Sequence, residues 1–277
     1  MFHHIQSNCF VRPSCFSFVF ILALLQAGCS GPPQTTRDSS GGVPLQPKLA
    51  STVRVAALDL FNFKRRLEKK DIERFAEVIK KEQIEVLAIQ GISRYPNVKT
   101  RIDFVEEFPA RADMRRAFGE TIDMSGQQRI NAVFSIYPIQ WSNKKEFDVP
   151  SAFYESALQV SIDAGIRDVI IVSTRLPEKA SAKDLGACVQ MIAALQTKMD
   201  KPFIVAGNLP ILSKVKAPES FTDIQSTLSA DAGKTVTSRV WYAQGDLFKP
   251  LSARAVKTDL GTMTVIEFGL YQPILPQ

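Results

Sequence analysis

The strongest constraint on this chain is a set of short apolar runs, each ended by turn-forming or polar residues. VRVAALDL (53–60), EVLAIQ (85–90), DVIIVST (168–174) and FIVAG (203–207) have the length and β-branched content of strands. Runs with so few polar positions have to be buried on both faces. RINAVFSIYPI (129–139), stopped by Pro138, and SALQVSI (156–162) read as further strands, followed late in the chain by SRVWYA, SARAVKT and TMTVIEF. Helical patterns lie between them. Asp71 can cap a segment that puts Ile72, Phe75, Ala76 and Ile79 on one face, and a helix over 183–199 turns Leu185, Cys188, Val189, Ile192, Leu195 and Met199 inward. Helices between buried strands, then strands without helices, predict a layered α/β protein with mixed sheets.

The N-terminal residues follow another rule. FSFVFILALL (16–25) is an apolar stretch too short to span a bilayer, with Arg12 before it and Ala27, Gly28 and Cys29 after it. This predicts a signal peptide over 1–28. The small residues before Cys29 resemble the lipobox of bacterial lipoproteins, which implies lipid on Cys29, export, and a membrane as the first partner; an ordinary cleaved signal is the alternative. Ser30 at the next position resembles lipoproteins sent to an outer membrane. Residues 29–52, rich in Pro, Gly, Ser and Thr, are expected to form a flexible tether, and 53–277 one domain.

Composition narrows the chemistry. The only histidines are His3 and His4, so a mature chain without its leader has none, and histidine-dependent catalysis is excluded. Cys9 and Cys15 belong to the leader and Cys29 to the lipid site, which leaves Cys188 as the single free thiol, on a helix face suited to the core. The net charge of +6 is a mild excess. Its densest cluster, Lys64, Arg65, Arg66, Lys69 and Lys70, is interleaved with Glu68, Asp71, Glu73 and Glu77, the pattern of a solvated face, the alternative being a face that meets phosphates, an anionic surface or an envelope partner through Arg65, Arg66 and Lys69; smaller clusters are Arg111, Arg115 and Arg116, and Lys144 and Lys145. Nucleic acid is not expected as a partner. Trp141, Trp241, Tyr154 and Tyr242 read as sheet packing. CxxC, HExxH, GxSxG and phosphate-loop motifs are absent.

The order of the strand ends resembles the endonuclease/exonuclease/phosphatase superfamily, the divalent-metal phosphodiesterases that include DNase I and the sphingomyelinases. The resemblance runs from about Val53 to Leu270 and implies a four-layer α/β sandwich, with two mixed β-sheets flanked by helices. The family's first strand ends in a metal-binding asparagine, where this chain has Asp59. Its second ends in Gln-Glu, the glutamate being the principal metal ligand; here Gln90 is followed by Gly91. AVFSIYPI keeps the structural Ser135, Tyr137 and Pro138. The family's Thr-His becomes Thr174 and Arg175, its Gly-Asp-Phe-Asn becomes VAGNLP with Asn208 and Pro210, and its Ser-Asp-His becomes Thr258, Asp259 and Leu260.

Glycine supplies no oxygen ligand, asparagine cannot accept a proton, leucine cannot hydrogen-bond and proline lacks a backbone donor. Several such losses together read as a degenerate site, so no cofactor is expected, and the chain is expected to be a binding or scaffold protein for an unidentified ligand or protein. The alternative is a diverged Mg²⁺-dependent phosphodiesterase with a site rebuilt around Asp59, Gln90, Asn208 and Asp259. Asp59 and Asp259 are expected to converge at one sheet end, partly buried and satisfied by backbone donors with Arg175 paired to one of them; the alternative is that they weakly hold a cation with Gln90 while Arg175 holds a phosphate or a carboxylate. Glu106, Glu107 and Glu120 are carboxylates nearby in sequence, at no matching position.

Overall fold

The computed structural model describes residues 49–63, 65–95, 98, 101–122, 127–150, 155–176, 180–196, 200–210, 219–224, 238–243 and 245–273. All fall within one compact unit, Gln46–Gln277. The predicted signal peptide, Cys29, Lys64, Tyr154 and Met199 lie outside the described residues.

Two six-stranded sheets form the centre. The first has the order β11-β12-β1-β2-β4-β3, from β1 (Leu49–Asp59), β2 (Val86–Arg94), β3 (Arg115–Ile122), β4 (Gln128–Ser135), β11 (Phe248–Thr258) and β12 (Gly261–Tyr271). The second runs β5-β6-β7-β8-β10-β9, from β5 (Ile139–Glu146), β6 (Ser156–Asp163), β7 (Asp168–Arg175), β8 (Phe203–Asn208), β9 (Thr222–Asp223) and β10 (Arg239–Ala243). Helices α1 (Lys69–Lys81), α2 (Phe104–Ala112) and α3 (Ala182–Gln196) complete the described elements. In each sheet one central pair is parallel, β1 with β2 and β7 with β8, and the remaining pairs are antiparallel.

The apolar runs are explained by which side of a sheet each residue faces. In β1, Val53, Val55 and Ala57 enter the cluster between the sheets, with Leu158, Val160, Ile171 and Ile204 from the facing strands. Ala56 and Leu58 point the other way, into a cluster with Ile72, Phe75 and Ile79 of α1 and Phe104 and Phe108 of α2. The outer face of the second sheet is covered by α3: Ile170, Val172, Phe203 and Trp241 meet Cys188, Val189 and Ile192. Helix, sheet, sheet and helix make the four layers, and each inner strand feeds two of them.

Several boundaries differ from expectation. β1 starts at Leu49, inside the stretch read as tether, because Leu49, Ser51 and Thr52 pair with Tyr271, Leu270 and Gly269 of β12. Asp71 does not precede α1 but sits in its first turn, where its carboxylate accepts the Glu68 N–H at 2.9 Å. The strand read over 129–139 is two, β4 and β5, separated at Pro138. β3, α2, β5 beyond Ile139 and the short β9 carry no matching sequence reading.

Candidate functional site

The parallel pairs bring four of the singled-out residues to neighbouring strand ends. Asp59 is the register partner of Gln90 across β1 and β2, and Arg175 that of Asn208 across β7 and β8. The two sheets are joined here. Asn208 Nδ2 donates to Asp59 Oδ2 at 3.0 Å, and Gln90 Nε2 donates to Ser173 Oγ at 2.9 Å and to the Ala206 carbonyl at 3.2 Å. Gln90 is fully buried, and its Oε1 accepts no hydrogen bond among the described residues. Gly207 permits the approach of β7 and β8, since a Cβ there would overlap the Thr174 carbonyl oxygen.

Arg175 is the electrostatic centre of the group. Its Nη1 donates to Glu155 Oε1 at 2.7 Å, its Nε stands 3.8 Å from Asp59 Oδ2, and its guanidinium carbon lies 3.5 Å from the centre of the Phe61 ring. The side chains of Arg175 and Asp59 are 5% and 3% exposed, that of Glu155 17%. Burial holds the Glu155 carboxyl above the usual carboxylate range, outweighing the attraction of Arg175. Arg129 of β4 adds a second guanidinium 4.7 Å from the Phe61 ring.

Phe61 is placed by its own chain. Its N–H donates to Asp59 Oδ1 at 2.9 Å, a turn closed by an aspartate side chain, and the preceding Leu60 N–H donates to the Gln90 carbonyl at 2.8 Å. This puts Phe61 over Gly91, which has φ of 69° beside an irregularity in the β2–β4 register. A Cβ on Gly91 would lie 2.7 Å from the Phe61 Cα and 2.8 Å from its N and Cβ. The position has no space for a side chain.

The other residues lie apart. Asp259 occupies the turn between β11 and β12, half exposed, and accepts from Arg74 of α1 at 3.3 Å. The turn lies at the same end of the first sheet as Asp59, but the two carboxylates have different partners, Arg74 for Asp259 and Phe61 with Asn208 for Asp59, and Leu260 is buried beneath α1 with Leu58 and Leu60. Pro210 follows Leu209, which packs in the outer core against α3. Thr174 is buried and donates to the Ser156 carbonyl at 3.0 Å. Glu106 pairs with Arg116, Glu107 with Arg111 and Glu120 with Arg94. Among the described residues no three His, Cys, Asp or Glu side chains gather where they could hold a metal ion. Trp241 is enclosed in the outer core and Tyr242 packs on Phe248 and Phe268.

Sequence reading missed Phe61, Glu155, Arg129 and Ser173. Phe61 had a usable signal, an aromatic residue two places after an aspartate at a strand end. Glu155 had only its position, one residue before the buried run of β6.

No family model matches the sequence, and no curated protein matches it. Solved structures do. An endonuclease/exonuclease/phosphatase from Beutenbergia cavernae is 16% identical with a TM-score of 0.61, over 81% of this chain and 73% of that one. One from Bacteroides vulgatus is 10% identical with a TM-score of 0.61, over 80% of this chain and 100% of that one. The human Nocturnin catalytic domain, solved with a bound sulfate anion, is 15% identical with a TM-score of 0.59, over 79% and 94%. The fold is the DNase I-like α/β sandwich of these structures.

Proposed function

We propose that this chain is a non-catalytic binding or scaffold protein on the DNase I-like fold. The observation that carries the reading is Phe61 packed over Gly91, with Arg175 supplying the positive charge at the strand ends. Phosphodiester hydrolysis needs a hard cation held by several oxygens and a group that orients or deprotonates water. The candidate ligands are otherwise engaged: Asp59 accepts from Phe61 and Asn208 and stands beside Arg175, and Glu155 is bonded to the same guanidinium. The buried Oε1 of Gln90 is a single neutral oxygen, which is a poor hard-cation site alone. A divalent ion therefore does not fit the residues present without expelling a buried guanidinium. Asn208 and Leu260, at the family's aspartate and histidine positions, offer no base.

The test is hydrolysis of an activated phosphodiester with Mg²⁺, Mn²⁺ or Ca²⁺, alongside thermal melts in the same ions. No turnover and no metal-dependent change in melting are expected. Metal-dependent turnover that disappears in Asp59→Ala would replace this reading with a rebuilt hydrolase, the activity class of the structural neighbours.

The same proposal includes export and lipid anchoring, supported by the apolar stretch 16–25 and by Ala27 and Gly28 before Cys29. Intact mass of the mature protein is expected to carry diacylglycerol, and Cys29→Ser to abolish it.

A further inference from the structure

We propose that a second place on the molecule, the cleft at the ends of β1 and β2 beside α1, binds a phosphate group. The inference deepens the binding reading by naming a ligand chemistry, and it concerns side chains other than the Arg175 cluster. The cleft encloses about 270 Å³ and is lined by Arg65, Arg66, Arg101, Ser93, Tyr95 and Phe63, among others, with no carboxylate among the described residues of its wall.

Its cations are held in place. Arg65 donates to both oxygens of Asp71, at 2.6 and 2.8 Å, and lies 5.0 Å from the Phe63 ring centre, so its charge is met while its orientation is fixed. Arg101 is stacked 3.6 Å from the Tyr95 ring centre, and among the described residues no carboxylate pairs with it. The acids closest to it in sequence are engaged elsewhere: Asp103 and Glu106 both pair with Arg94. A guanidinium fixed on an aromatic face without a counter-ion is suited to an oxyanion.

Ser93, at the wall of the cleft, adds a hydroxyl. Ser93 Oγ accepts from Gln127 Nε2 at 2.8 Å and from Arg129 Nη1 at 2.9 Å. Both lone pairs are then occupied, so the hydroxyl proton has to be donated, and no described residue accepts it. Ser93 lines the cleft, and under the proposal that proton goes to an acceptor bound there. A tetrahedral phosphate offers acceptor oxygens in several directions at once, matching a hydroxyl and guanidinium groups that approach from different walls.

Two sources share this chemistry, a free phosphate and the headgroup of a phosphomonoester lipid. The experiment titrates the intact chain with inorganic phosphate by calorimetry at fixed ionic strength, and measures co-sedimentation with phosphatidylcholine vesicles with and without phosphatidic acid. Arg101→Gln and Ser93→Ala are compared with Arg115→Gln, a like change of charge on an edge strand, with unchanged thermal melting confirming that each variant is folded. At least tenfold weaker phosphate binding in Arg101→Gln and Ser93→Ala, with Arg115→Gln like wild type, supports the site and a free ligand. The same variant pattern seen only with phosphatidic acid vesicles supports it with a lipid source. Equal binding by all the variants, or binding to neither probe, overturns the proposal. The hydrolysis assay reads out the Arg175 cluster, so either conclusion can fail alone.

Discussion

Arg175 meets Asp59 and Glu155 inside the protein, and removing one partner of a buried ion pair leaves an uncompensated charge. Arg175→Met is expected to cost about 3–5 kcal/mol, measured by urea unfolding. Glu155 gives a pH signature. Its carboxyl sits above the usual range, so the folded chain keeps a proton that the unfolded chain releases above about pH 4.3. The stability from this group therefore rises as pH falls through that window and is lost above it. Between neutral pH and the ordinary glutamate value, the urea midpoint of wild type should gain relative to Glu155→Gln; parallel curves would contradict this. Asp71 behaves oppositely, its carboxyl lowered chiefly by the hydrogen bond from Arg65, and its contribution is lost only below the ordinary range. Cys188 is fully enclosed, and burial pushes its thiol up to about 11. Peptide mapping after treatment with a thiol reagent at neutral pH should find Cys188 unlabelled until the chain unfolds.

Helix α2 shows how far elements were legible. The inner strands β1, β2, β7 and β8 were readable because both of their faces are buried, so their composition leaves no other option. FVEEFPARA was not, since Pro109 breaks the helical pattern. The structure answers that break from another element. Proline has no N–H for the Val105 carbonyl one turn earlier, and Arg116 Nη1 from β3 donates to that oxygen at 2.8 Å. Arg116→Met is expected to cost about 1–3 kcal/mol, and less in a Pro109→Ala background that restores the helical donor. A double-mutant cycle without coupling would show that the contact carries no weight. β3 and β5 escaped sequence reading for a related reason: each is an edge strand, and RRAFGETI and IQWSNKKE carry the polar residues that an edge tolerates. In the candidate site, the alignment of strand ends located Asp59, Gln90, Arg175 and Asn208. Their closure by Phe61 and Glu155 depends on where loops pack, which no local pattern encodes.

At the scale of the molecule, the basic clusters acquire a place. Arg115 and Arg116 lie on the edge β3, and Lys144 and Lys145 on the edge β5, where lysine and arginine discourage pairing with another chain. Lys144 also donates to the Glu120 carbonyl at 2.8 Å, linking the edges of the two sheets. Replacing the outward charge and its neighbour, Asn143→Val with Lys145→Val, should raise light scattering in concentrated solution while leaving the melting temperature nearly unchanged. If scattering is unaltered, the edge is protected by something else.

β1, finally, is the first of the described elements and is held on both sides, antiparallel to β12 from Leu49 onward and parallel to β2 from Val55 onward. A pull applied to the chain before Leu49 enters along the axis of this strand. Such a load has to shear two hydrogen-bonded ladders together, whereas the outermost strand β11 could be peeled away one bond at a time. A load applied there is met by shear of both ladders at once, and the rate at which force unfolds the protein is set by that step.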